Sequence, residues 1–131
     1  MGSEVSEVAV VLEHPVRVLR PNGHGQGGHW AVKARAVKRA RFLARWVMLA
    51  RLRELPPGAR EGFAPVWYGV TWFYKGVAPD ADNCLAACKA YLDGCADALG
   101  VNDRVLECSG VRRVHDAKLA GKVEIRFTEE Y

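Results

Sequence analysis

Asp80, Asp82, Lys89, Asp93 and Asp103 are the residues of this chain whose types and spacing could do chemistry together. In Pro79-Asp80-Ala81-Asp82-Asn83 two carboxylates alternate where a helix is expected to begin, so both side chains could approach one point. Asp82, Lys89 and Asp93 stand at i, i+7 and i+11, one stripe of a helix. Asp103 is expected to open the following strand and to return to the same place. Three carboxylates converging on one point repel each other and suggest a divalent cation between them. Oxygen-only ligands suit Mg²⁺, with Mn²⁺ as a possible substitute, over zinc. Such a cation beside DNA performs phosphodiester hydrolysis, by neutralising the phosphate and activating a water. A nearby lysine adds positive charge for the transition state. A plainer reading keeps Asp82 as a helix N-cap and nothing more.

The elements that must position these residues follow from hydropathy patterning. Residues 8–12 and 16–19 are β-branched and Leu-rich around Glu13-His14-Pro15, which predicts one long or bulged first strand with Pro15 at an edge or bulge. A helix is expected from about Trp30 to Glu54, before Pro56-Pro57-Gly58. Residues 65–74, Pro-Val-Trp-Tyr-Gly-Val-Thr-Trp-Phe-Tyr, predict a central strand that buries Trp67 and Trp72. A second helix is expected from Asn83 to about Leu99, with Asp82 as N-cap and Gly100 as C-cap. Two further strands, near residues 104–114 and 121–128, are expected to form a hairpin through residues 117–120. The fold class is therefore α/β, of the α+β kind: one small mixed sheet with two main helices in the order β-α-β-α-β-β. With 131 residues it is expected to be a single domain over residues 1–131, residues 1–6 being flexible.

Charge is distributed unevenly. No acidic residue occurs between His14 and Arg53, while ten acids face seven bases from Val77 onward. A basic half beside an acidic half suggests a polyanion partner and a separate carboxylate site. On the first helix Ala36, Val37, Ala40, Leu43, Ala44, Val47 and Ala50 share a side expected to face the core. Lys33, Arg35, Lys38, Arg39, Arg41 and Arg45, with His29 just before the helix, are the candidate DNA contacts. Phe42, Trp46 and Leu49 intrude on the basic side, an apolar patch that suggests a homodimer contact. Cys84, Cys88 and Cys95 fall on one helical stripe and are expected to pack in the core as small hydrophobes.

Two classes of function are disfavoured. Gly23-His24-Gly25-Gln26-Gly27-Gly28 fits the letters of a dinucleotide fingerprint, but the first acid after it is Glu54. The fingerprint needs its ribose-binding acid about 20 residues on, at a second strand. No nucleotide cofactor is therefore expected. No apolar run is long enough for a bilayer, so no membrane partner is expected either.

Pro79-Asp80-Ala81-Asp82-Asn83, followed by Lys89, Asp93 and Asn102-Asp103, resembles the RusA-like Holliday junction resolvases. Members carry a D-x-D-N motif, a downstream lysine and a further aspartate after the helix. Leu19-Arg20-Pro21-Asn22, His29-Trp30 and the basic run of residues 33–41 are similar to the family's opening segment, more loosely. By position, the resemblance implies that Asp80, Asp82 and Asp103 hold the metal and are catalytic together with Lys89. It departs from the family at one point. The family's lysine sits four residues after the motif's second aspartate, where this chain has Ala86, and Lys89 comes three residues later. The resemblance implies a homodimeric, Mg²⁺-dependent endonuclease that nicks opposing strands of a four-way junction, in the cytoplasm of a bacterial or phage-infected cell. Two alternatives stand beside it: an inactive nucleic-acid-binding accessory protein on the same fold, and an unrelated α/β protein with a small-molecule role.

Overall fold

A four-stranded mixed sheet carries the helices in the computed structural model, which describes residues 5–20 and 30–130. Strand β1 (Glu7–Glu13) alternates strictly: Val8, Val10 and Leu12 are buried and the residues between them face outward. Its antiparallel neighbour β4 (Lys122–Thr128) does the same with Val123, Ile125 and Phe127, in an unbroken register from Glu7↔Thr128 to Glu13↔Lys122. The outward positions form ion pairs, Arg126 with Glu7 and Lys122 with Glu13 across the strands, and Arg126 with Glu124 along β4. One face of the sheet is thus apolar and covered, the other charged and open.

Strand β2 (Trp67–Tyr74) lies between β4 and β3 (Glu107–His115), antiparallel to the first and parallel to the second. Parallel neighbours need a crossover, and helices α3 (Ala81–Ala87) and α4 (Lys89–Leu99) supply it. The long helix α1 (Trp30–Arg53) follows β1 and packs against α4; a single-turn helix α2 (Ala59–Gly62) leads into β2. The chain forms one small α+β domain with a mixed sheet, as expected; the order found is β-α-α-β-α-α-β-β, with four helices where two main ones were expected.

Four local expectations are corrected. The first strand ends at Glu13 and a 3₁₀ turn covers Arg17–Leu19, because Pro15 has no N–H to continue a ladder. Strands β3 and β4 form no hairpin, since β2 separates them. Placed between β1 and β2, β4 aligns its buried Val123, Ile125 and Phe127 with the buried rows of both, whereas β3 exposes Arg112, Arg113 and His115 and takes an edge. The second helix begins at Ala81, with Asp80 rather than Asp82 at its N-cap, and it breaks at Cys88. There the Cys88 N–H bonds back to Leu85 at 3.1 Å, one tight turn between two helices. Finally, the buried row of α1 is Ala40, Ala44, Met48 and Leu52, while Leu43 and Ala50 face solvent. This row of four-residue steps is the ridge that meets α4, and at Gly94 the two backbones come so close that a Cβ would lie 2.1 Å from the Arg41 carbonyl oxygen. Gly100, in the left-handed region at φ 71°, closes α4 as its sequence position predicts.

The cysteines follow expectation. Cys84, Cys88 and Cys95 are buried and Cys108 is exposed, all as free thiols. Burial pushes the Cys88 and Cys95 thiols up to about 12. A chromogenic thiol reagent at pH 8 is expected to modify one cysteine of the native chain, Cys108, and the other three only after denaturation. Fast reaction of more than one thiol in the native chain would contradict this burial.

Candidate functional site

The crossover between β2 and β3 positions every candidate catalytic residue. Asp80 stands at the N-cap of α3 and is exposed; its backbone carbonyl accepts the Cys84 N–H at 2.9 Å, and its carboxylate makes no cap bond. Asp82 lies in the first turn of α3, also exposed, where the positive end of a helix favours a carboxylate. Neither side chain has an ion-pair or hydrogen-bond partner among the described residues. The Arg113 guanidinium donates to the Pro79 carbonyl at 3.3 Å and so braces the turn that carries Asp80.

Lys89 opens α4. Its ammonium donates to Asp93 Oδ1 at 2.9 Å and to Asp103 Oδ2 at 2.7 Å. Asp103 opens a 3₁₀ turn, Asp103–Val105, before β3 rather than the strand itself. Hydrogen bonds first to Asp103 and then to Asp93 raise the Lys89 pKa, and the bond from Lys89 lowers that of Asp103. At neutral pH the pair is therefore ammonium and carboxylate. Lys89 can supply positive charge or a proton; it is not poised to abstract one.

Of the residues grouped by sequence spacing, Lys89, Asp93 and Asp103 come together. Asp80 and Asp82 stand apart from them, at the far end of α3. Among the described residues no three acid, thiol or imidazole groups lie close enough to hold one metal ion. The donor chemistry nevertheless suits a hard divalent cation. Asp80, Asp82 and Asp103 offer only carboxylate oxygens, and the first two have no competing cation of the protein.

The basic helix lies alongside. Arg41 forms a two-pronged bond to Asp97 of α4, Nε to Oδ2 at 2.6 Å and the second terminal nitrogen to Oδ1 at 2.8 Å. Its field also reaches Asp93 and Asp103. Arg41 is thus engaged in tying the two helices together. Lys33, Arg35, Lys38, Arg39 and Arg45 are exposed and have no ion-pair partner among the described residues. His29 and the glycine loop of residues 21–28 lie outside the described residues.

Two neighbours escaped the sequence reading. Tyr68, half-buried at the start of β2, feels the charges of both Lys89 and Asp103; burial, with Cys108 beside it, raises its phenol pKa. Arg113 braces the Pro79 carbonyl. An aromatic and an arginine in strands carry no local signal for such roles. Trp72 is fully buried and Trp67 half-buried, while Trp30 is exposed at the start of α1. Phe42 and Trp46 are exposed on α1, edge to face with ring centres 6.0 Å apart.

The sequence matches no protein-family model. It is similar to an uncharacterized protein of Xylella fastidiosa (strain Temecula1 / ATCC 700964), 39% identical over 102 residues. The match covers 73% of this chain and 60% of the relative, so the chain spans about three-fifths of that protein's length.

Proposed function

We propose that this chain is a Mg²⁺-dependent endonuclease of the RusA-like type, with Mn²⁺ as a substitute, that resolves Holliday junctions or other branched DNA by paired nicks. The observation that carries this reading is the Lys89–Asp103 pair, 2.7 Å long, on the crossover that also bears the unpartnered carboxylates Asp80 and Asp82. Asp80, Asp82 and Asp103 would hold the cation, which requires Asp103 to leave Lys89 and approach the other two, since the three are not clustered here. Bound there, it would neutralise the phosphodiester and activate the attacking water. The chain's own part follows from its side chains. Lys89, held as an ammonium, faces the negative charge that builds on the phosphate and the leaving oxygen. Lys33, Arg35, Lys38, Arg39 and Arg45 attract the phosphate backbone.

A homodimer suits paired cutting, because two-fold symmetry presents two sites to two strands. The exposed Phe42 and Trp46 are the candidate contact. Among the described residues no helix is long and apolar enough to cross a membrane. Work on branched DNA would place the chain in the cytoplasm of a bacterial or phage-infected cell.

One observation favours a second reading, an inactive accessory protein that binds junctions. The ammonium sits one turn beyond the family position, at Lys89 instead of Ala86, and Asp103 is drawn to it. Lys89→Met separates the two. In the nuclease reading, cleavage of a labelled junction falls roughly a hundredfold while gel retardation in EDTA is unchanged. In the accessory reading there is no cleavage for the variant to lose. Retardation that prefers linear duplex of matched sequence over the junction would contradict both.

A further inference from the structure

A cleft of about 480 Å³ opens where the C-terminal end of β2 meets the turn after β1. Its volume falls within the range of small-ligand sites. His14, Arg20, Tyr74, Lys75 and Pro79 line it around Trp72. The His14 imidazole stacks on the Trp72 indole, ring centres 4.0 Å apart, and the Arg20 guanidinium lies 5.8 Å from the same ring. Arg20 Nε donates to the Pro15 carbonyl at 3.1 Å. That bond orients the guanidinium and leaves its terminal nitrogens for a ligand.

Three features make this more than a dent in the surface. No carboxylate lines the cleft, and neither Arg20 nor Lys75 has an ion-pair partner among the described residues. Two cations there are uncompensated. His14 Nε2 is buried with no hydrogen-bond partner, an uncommon state for a buried polar atom. Desolvation lowers the pKa of His14, against smaller raising contributions from the backbone of Phe73 and Lys122, so the ring adds no charge to the cleft.

We infer that this cleft holds one nucleotide unit of a nucleic acid strand, its phosphate on Arg20 and Lys75 and its base against the exposed part of the His14 ring. Pro79 on the rim is joined directly to Asp80, so a strand seated here leads to the carboxylates. That orientation rests on the nuclease reading; binding of the nucleotide unit does not.

Calorimetric titration of the full chain in EDTA, with no divalent cation, tests the site. The probes are inorganic phosphate, deoxyadenosine 5′-monophosphate and a tetradeoxynucleotide. The tetranucleotide is expected to bind at least about tenfold more tightly than the mononucleotide, and the mononucleotide more tightly than phosphate. Arg20→Ala with Lys75→Ala weakens all three about tenfold or more, and His14→Gln weakens the two nucleotides but not phosphate. Lys75→Glu, at an exposed position, gives the same direction should the double variant melt early. Absence of binding, or binding that Lys75→Glu leaves unchanged, overturns the site. A tetranucleotide that binds no better than the mononucleotide overturns the assignment to a strand. A native chain that binds these probes here yet cuts no junction in Mg²⁺ refutes the nuclease reading alone.

Discussion

Replacing Asp80 and Asp82 together with Asn is expected to lower junction cleavage about a thousandfold or more, while junction binding in EDTA changes less than about threefold. Both side chains are exposed and have no protein partner, so their charge bears on the fold only through the favourable end of α3. Asn keeps the shape and removes the anionic oxygen that a hard cation requires. Exposed substitutions of this kind leave stability within about 0.5 kcal/mol. The loss therefore reads as chemistry rather than unfolding. Single-turnover cleavage, gel retardation and a melting curve on the same preparation separate the three. A variant that still cuts within about tenfold of the native rate would remove these carboxylates from the mechanism.

Gly94→Ala is expected to destabilise the chain by about 3 kcal/mol or more, although it adds one methyl group. A Cβ at position 94 would lie 2.1 Å from the Arg41 carbonyl oxygen and 3.0 Å from Ala44 Cβ. The first neighbour is backbone in the middle of a 24-residue helix and cannot swing aside. Accommodation requires α1 and α4 to separate. That opens the packing of Ala40, Ala44 and Met48 and stretches the Arg41–Asp97 bridge. Mid-helix, Gly→Ala normally stabilises by up to about 1 kcal/mol, so the sign of the change tests the close approach itself. Thermal unfolding checks it: a melting temperature lower by roughly 10 °C or more is expected. A melting temperature that stays level or rises would show that the helices are not in contact there.

These two sites differ in how far the sequence announces them. The candidate carboxylates are legible because the proposed chemistry demands particular residue types: Asp-x-Asp-Asn with Lys and a further Asp is a pattern before it is a shape. β1 and β4 are legible because one face is buried and the other is charged, which writes an alternation into Glu7–Glu13 and Lys122–Thr128. The bounds of α1 and the Gly100 cap follow from local backbone preference. What was not legible depends on partners distant in sequence. Nothing local says that β4 inserts beside β2 rather than pairing with β3. Cys88 carries no breaker signature, yet the crossover helix breaks there. Gly94 did offer a signal, a lone glycine inside a helical pattern, but what it touches is set by α1. The union of Lys89 with Asp103 spans 14 residues and rests on the turn that brings Asn102-Asp103 back over α4. The cleft at His14, Arg20 and Lys75 draws on three separate segments, and no spacing could have collected them.

The proposed activity is the cutting of branched DNA by these residues with a divalent cation. The most direct measurement uses a synthetic four-way junction labelled in turn on each strand, with linear duplex of matched sequence beside it, in Mg²⁺ and in EDTA. Paired nicks at symmetric positions near the crossover, dependent on Mg²⁺ and absent from the duplex, are the predicted result. An intact junction in Mg²⁺ and in Mn²⁺, at protein concentrations where gel retardation shows it fully bound, would contradict the proposed activity.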